Sequence, residues 1–284
     1  MENSTGKKWL LRLAIYAVGG YLIHGCANRA FYVPSRSRPL PPVNSHCKVS
    51  EVRIPNGKAE LAAWVLEPTA EEPLGTVLFC HGNAGNLENH LPFVDFLPRK
   101  GYRLILFDYQ GYGASTPNRP TRERTVSDVH AALDYTITNY GKPWIMGHSL
   151  GSSLAVWVTG ERNQDVRGVV AVATFTSYRA VARSVLGGTL ILKPIAWPLG
   201  LFVSRGNDPV DAIGRLSPTP VLLIHAKEDE LVPEWMCGEL YEKAGDPKDM
   251  YVVPGADHNS DWQDMGPEYV QKVLDFLSNG QTSR

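Results

Sequence analysis

From residue 47 onward, short runs of aliphatic and β-branched residues alternate with stretches of helical periodicity. The pattern predicts strands at Lys48–Ile54, Leu61–Leu66, Thr76–Cys80, Arg103–Phe107, Trp144–Gly147, Val169–Ala173, Val221–His225 and Met250–Val253. Runs such as VLFC, LILF, VVAVA and VLLI are apolar without alternation, which suits parallel strands covered on both faces. Between them, Val126, Val129, Leu133 and Ile137 repeat at three to four residues, the stripe of an amphipathic helix over 121–139. Residues 150–162, 233–244 and 266–278 read as further helices. Strand–helix alternation of this kind predicts an α/β fold, a mostly parallel eight-stranded sheet with helices on both faces.

The first 45 residues do not share this pattern and are expected to lie outside the body. Lys7, Lys8 and Arg12 lead into an uncharged block, Leu13–Gly25. As a helix this block would span about 20 Å at ~1.5 Å per residue, short of a hydrocarbon core of ~30 Å but long enough for a signal-peptide apolar region. Extended back to Trp9 it approaches a membrane anchor, with Arg12 snorkelling at one end. Ile23-His24-Gly25-Cys26 is similar to a bacterial lipoprotein processing site, with His24 where a small residue is usual, and would make Cys26 the lipid-bearing residue. Residues 1–26 are therefore expected to be a lipoprotein-type signal peptide or an uncleaved anchor. Either would leave the body outside the cytoplasm and tied to a membrane through its N-terminus, with the positive residues on the inner side. Residues 27–47, with Pro34, Pro39, Pro41 and Pro42, read as an extended linker, and 48–284 as the folded body.

Four strand ends carry candidate chemistry. Gly147-His148-Ser149-Leu150-Gly151 is a G-x-S-x-G pentapeptide between a strand and a helix, the context in which a strained turn exposes a serine hydroxyl. His81-Gly82-Asn83-Ala84-Gly85-Asn86 follows the strand TVLFC. There the N–H of Asn83, with that of Leu150, would form an oxyanion hole. The loop lacks the G-K-[ST] of a phosphate loop and the spacing of a dinucleotide-binding turn, and His81 reads as a residue that holds it. Ala-Lys-Glu-Asp-Glu-Leu-Val-Pro ends the strand at 221–225, and Asp229 is the acid best placed to orient a histidine, Glu228 and Glu230 reading as solvated charges. Pro254-Gly255-Ala256-Asp257-His258 places His258 in a loop after the last strand. The order Ser149, Asp229, His258 is that of a hydrolase with a nucleophile elbow.

On HGNAGN (81–86), FDYQGYGAS (107–115), GHSLG (147–151), Asp229–Pro233 and PGADHN (254–259), the chain resembles the serine hydrolases of the α/β-hydrolase fold. It looks closest to the small membrane-associated branch with a short cap, which includes esterases and depalmitoylases. The resemblance spans about 48–278, with Ala226 where many relatives carry Gly. It implies acyl transfer to Ser149, His258 as general base and then acid, Asp229 fixing its tautomer, and Asp108, Tyr109, Gly111 and Gly113 supporting the loop below the site. It also implies a cap at about 175–217. Val185–Val203 lies in that interval, and Leu190, Ile191, Leu192, Ile195, Trp197, Leu199, Leu201 and Phe202 are expected to bind an acyl chain or to pack the cap onto the core. Lys193, Pro194 and Pro198 speak against a transmembrane helix there.

Composition narrows the partners. Twenty-eight Lys and Arg against 29 Asp and Glu leave a net charge of −1, which argues against nucleic acid. Cys26, Cys47, Cys80 and Cys237 are too scattered for a disulfide framework or a paired zinc site. No H-E-x-x-H occurs, and no metal or cofactor is expected. The expected substrate is a small or lipid-like acyl ester or thioester. A peptidase of the same fold and a non-catalytic binding protein are the alternatives.

Overall fold

A computed structural model describes residues 24–42, 47–188 and 193–279. Its centre is an eight-stranded sheet: β1 (Cys47–Asn56), β2 (Ala59–Pro68), β3 (Thr76–Cys80), β4 (Arg103–Phe107), β5 (Trp144–His148), β6 (Gly168–Val172), β7 (Val221–Ala226) and β8 (Lys248–Val253). The spatial order is β8-β7-β6-β5-β3-β4-β2-β1. β1 and β2 form an antiparallel pair, β2 runs antiparallel to β4, and every other pairing is parallel. The outer pair runs longer than its apolar core suggests, because residues at its ends alternate with solvent and carry no apolar signal.

The central strands β3, β5 and β6 are buried along their whole length, as their unbroken apolar runs require. Side chains leave them alternately. In β3, Leu78 and Cys80 enter a core shared with α1 (Arg122–Tyr140), α2 (Leu150–Glu161) and α5 (Glu234–Lys243). Val77 and Phe79 enter the opposite core, shared with the short helix at Phe96–Arg99 and with α6 (Trp262–Asn279). α6 bends at Gly266, whose φ is 83°, just before Pro267. A short helical turn precedes the bend, so the element starts ahead of the apolar stripe at 266–278. Trp262 opens that turn, and its indole N–H donates to Asp95 Oδ1 at 2.5 Å.

Between β6 and β7 lie α3 (Tyr178–Gly188), α4 (Lys193–Gly200) and a short helix at Pro209–Ala212. Of the expected acyl-binding positions there, Leu190, Ile191 and Leu192 fall outside the described residues, as does the side chain of Ile195. Trp197 is 64% exposed and rests on the Arg183 guanidinium.

The linker expectation gives way at its N-terminal half. Residues 24–29 are helical, and the chain that follows lies on the body instead of standing off it. Val33–Pro34 pairs in parallel with Ala84–Gly85. Ser35 N–H donates to the Gly85 carbonyl at 2.8 Å, the Gly113 N–H donates to the Ser35 carbonyl at 2.8 Å, and Asn86 Nδ2 donates to the Ser37 carbonyl at 3.2 Å. Backbone hydrogen bonding of this kind leaves no trace in hydropathy, so a proline-rich, polar stretch reads as a spacer. Residues 1–23, where the predicted signal peptide or anchor falls, lie outside the described residues. Among the described residues no helix is long and apolar enough to cross a membrane.

Candidate active site

Four strand ends converge at the carboxyl edge of the sheet. Ser149 sits between β5 and α2 with φ 54° and ψ −115°, a positive-φ conformation that is costly for a residue with a Cβ. Packing enforces it. A Cβ on Gly147 would lie 2.5 Å from Ser152 Cα, and one on Gly151 would collide with the carbonyl oxygens of Cys80 and His81. Only glycine at both positions lets the helix start this close to β3. The Ser149 N–H donates to the Val172 carbonyl at 2.9 Å, and the Ser152 hydroxyl donates to the Ser149 carbonyl at 2.7 Å, so the turn is tied down on both sides.

His258 stands opposite. Its Nδ1–H donates to Asp229 Oδ2 at 2.6 Å and its Nε2 accepts from Ser149 Oγ–H at 3.0 Å. The carboxylate can only accept, which fixes the proton on Nδ1 and leaves Nε2 as the base towards the serine. Asp229 Oδ1 accepts the N–H groups of Leu231 and Val232 at 2.9 and 2.8 Å, so the acid is held by its own strand-end loop. Glu228 and Glu230 are exposed, as expected. The loop carrying His258 is closed by the Ser260 Oγ, which accepts the Asp257 N–H at 2.9 Å.

The loop after β3 carries Asn83, the residue expected to supply an oxyanion donor, into the wall of the same cavity as Ser149. His81 Nδ1–H donates to the Gly82 carbonyl at 2.7 Å. A trans peptide directs its C=O and N–H oppositely, so this bond turns the Asn83 N–H away from His81. The Asn83 carbonyl accepts from Tyr112 Oη–H at 2.7 Å and from the Val33 N–H at 2.9 Å. Leu150 N–H is the first of α2, one of the donors that a helix start leaves without an internal partner. Asn83, Ser149, Leu150 and His258 line one cavity. His81 therefore holds the loop, as its sequence context suggests. It lies 3.5 Å from Asp108 Oδ1, an ion-pair distance. Burial nevertheless drives His81 well below its usual range, so the imidazole is neutral, and raises Asp108 to about 7.

Two contributors escape a reading of the sequence. His148, the variable residue of G-x-S-x-G, donates from Nε2 to the His258 carbonyl at 2.9 Å, and its ring packs against Phe93. Burial and the neighbouring His258 and His90 push it well below the usual histidine range, so it acts as a neutral donor. No motif assigns that position a role. The other is the strap at residues 24–37. Cys26, Ala27, Ala30 and Phe31 line the same cavity as Ser149, facing Val181, Val185, Leu186, Leu199 and Val203 of the segment between β6 and β7. The cavity measures about 670 Å³, and nearly every side chain in its wall is apolar. Leu199 thus stands where the sequence places an acyl-binding residue. Phe202 is outside the wall, and its carbonyl accepts from His24 Nδ1 at 2.7 Å. Asp208 caps α3, its Oδ1 accepting the Tyr178 N–H at 2.9 Å, and Asp211 is exposed.

Comparison with known proteins places this geometry. The family model of the α/β-hydrolase fold matches residues 75–194, which hold the glycine-rich loop and the serine turn. The chain is 30% identical over 269 residues to the uncharacterized protein YfhR of Salmonella typhi, covering 88% of this chain and 87% of that one. It is 28% identical over 291 residues to the α/β hydrolase domain-containing protein WAV2 of Arabidopsis thaliana, covering 92% of each. An esterase of Pyrococcus furiosus superposes with a TM-score of 0.70 at 20% identity, over 88% of this chain and 98% of that structure.

Proposed function

Because the chain belongs to the α/β-hydrolase fold family, we propose that it is a membrane-tethered serine hydrolase cleaving carboxylic esters or thioesters through an acyl-enzyme on Ser149. The observation that carries this reading is the unbroken chain of contacts from Asp229 through His258 to Ser149, at 2.6 and 3.0 Å. His258 Nε2 takes the hydroxyl proton as Oγ attacks the acyl carbon. The oxyanion so formed is met by the N–H groups of Asn83 and Leu150. His258 then returns the proton to the departing alcohol or thiol, and a water activated by the same nitrogen releases the acid. The positive end of the α2 dipole lies where the negative charge grows. An apolar wall around the serine favours an acyl chain over a peptide, whose backbone amides would lose their water without partners there.

Tethering rests on the leader: Lys7, Lys8 and Arg12 followed by the apolar block ending at Gly25, with the body outside the cytoplasm. It takes one of two forms, a lipoprotein-type signal cleaved before a lipidated Cys26 or an uncleaved anchor. Cys26 lies within a helical turn whose residues on both sides engage the body: His24 on Phe202, and Asn28 Oδ1 accepting the Ser204 N–H at 3.0 Å.

The test is labelling by a fluorophosphonate, which modifies only a serine activated by its base. Wild type should label and hydrolyse p-nitrophenyl butyrate. Ser149→Ala should do neither while keeping its melting temperature, with kcat down by roughly 10⁵ or more. A Ser149→Ala protein retaining a tenth of the wild-type rate would remove the assignment.

A further inference from the structure

The strap comes from outside the hydrolase core, yet it is fastened to the core by more than its own packing. Val33 and Ser35 bond the backbone of Asn83 and Gly85, and Ser35 accepts from Gly113. Phe31 stands edge-on against Tyr178, with ring centroids 5.1 Å apart, and Tyr178 is fully buried. With His24 and Asn28 bonded to Phe202 and Ser204, these contacts hold the helical turn 24–29 on the segment between β6 and β7 and bring Ala27 and Ala30 into the wall of the cavity that Leu199 and Val185 also line.

We propose that the strap sets which acyl chains the enzyme accepts: the turn bearing Ala27 and Ala30 is one side of the acyl-chain subsite, and the small size of these two residues leaves the room that a medium or long chain occupies. This rests on the serine-hydrolase reading above. The catalytic groups occupy one end of the cavity, at Ser149 and His258, and the strap and the cap helices close the remainder with apolar side chains. A volume near 670 Å³ is far more than an acetyl group fills and falls in the range of ~300–1,000 Å³ that takes extended ligands. Alanine at a wall position contributes surface without bulk, so each larger side chain placed there removes space from the chain and from nothing that reacts. Ala27 is half-buried and Ala30 is exposed at the rim, which makes Ala27 the position with more leverage on chain length.

The experiment uses the full chain in detergent, with p-nitrophenyl esters from acetate to dodecanoate below their aggregation limits. Rates are normalised to the fraction of protein labelled by fluorophosphonate. The readout is the ratio of kcat/KM for each long ester to that for acetate. Wild type should show a ratio that rises by up to about fourfold per methylene until the cavity is full. Ala27→Phe should bring the maximum to shorter chains and lower the dodecanoate-to-acetate ratio at least tenfold. Ala27→Val, a smaller perturbation that keeps the proposal testable if the aromatic variant misfolds, should lower it by a lesser factor in the same direction. A wild type that prefers long chains, with both folded variants keeping its profile, overturns the strap proposal and leaves the hydrolase reading standing. A wild type that hydrolyses none of the esters and takes up no fluorophosphonate removes the hydrolase reading, and this proposal with it.

Discussion

Asp229 uses both carboxylate oxygens: Oδ1 on two N–H groups of its own loop, Oδ2 on the His258 imidazole. The first pair positions the acid, and the second fixes the tautomer of the base. Asn in its place would keep the shape and offer an amide N–H to Nδ1, turning the ring over to the form that cannot take the serine proton. Asp229→Asn should therefore lose on the order of 10⁴ in kcat with KM nearly constant. Asp211→Asn, at an exposed carboxylate on the short helix Pro209–Ala212, should stay within about twofold, since a surface substitution away from the site costs little. Steady-state kinetics of the two variants side by side checks the assignment, and the opposite ranking would show that the acid had been placed on the wrong loop. Asp229 is legible in the sequence because it follows the end of a buried strand and falls between Ser149 and His258 in the chain order of a nucleophile-elbow hydrolase. His148 is not, because the hydrogen bond it makes runs to a backbone atom of a distant loop, that of His258, and no local pattern encodes that.

At the level of elements, the serine turn depends on how near α2 can come to β3. The Cβ that Ala would add at Gly151 meets the Cys80 and His81 carbonyls, which are main-chain atoms at the end of β3 and the start of the loop after it and cannot swing aside. Gly151→Ala should cost about 3 kcal/mol or more, the upper range for overpacking, and about 6 °C or more in melting temperature for a domain this large. Gly187→Ala, on α3 with open space around the added atom, should be neutral or slightly stabilising. Thermal melts of both variants test this, and equal melting temperatures would show that the elbow tolerates a Cβ. The same distinction explains which elements the sequence reveals. The predicted and observed ends of α1, α2 and α5 agree closely, because α1 carries an apolar stripe and ends at Gly141, α2 starts at the G-x-S-x-G turn, and α5 opens directly after Pro233. The central strands are legible because burial on both faces writes itself as unbroken aliphatic runs. The strap has neither signal. Its two-residue pairing with Ala84–Gly85 is made by backbone alone, so Ser35, Arg36 and Ser37 look like any solvated linker.

Across the whole molecule the buried histidines set the response to acid. His81, His90, His148 and His225 are all pushed below the usual value of 6.5 by burial first. A base whose folded pKa is depressed contributes stability above its unfolded pKa and loses it as pH falls, because the unfolded chain takes up protons that the folded chain refuses. Each such group steepens the loss below pH 6.5 by up to about 1.4 kcal/mol per pH unit. Asp108, raised to about 7, and Asp128, also raised by burial, act in the other sense: the folded chain binds their protons first and so gains stability as pH falls. The histidines outnumber the two acids, so the net direction below pH 6.5 is a loss of stability. The protein should therefore be less stable at pH 5 than at pH 7.5. Three of the four histidines lie around the loop after β3, and His225, whose Nε2–H donates to the Val232 carbonyl at 2.7 Å, supports the loop of Asp229. Acid should thus remove the scaffold of the site and its activity together. Urea unfolding at pH 7.5, 6.5, 5.5 and 5.0 measures the slope. Replacing one of the four by a residue that does not titrate, His148→Gln, should flatten it by about 1.4 kcal/mol per pH unit, whatever it does to stability at pH 7.5. A stability that is level or rises between pH 7.5 and 5 would mean that these imidazoles accept protons in the folded chain, and that the site is not held by neutral donors.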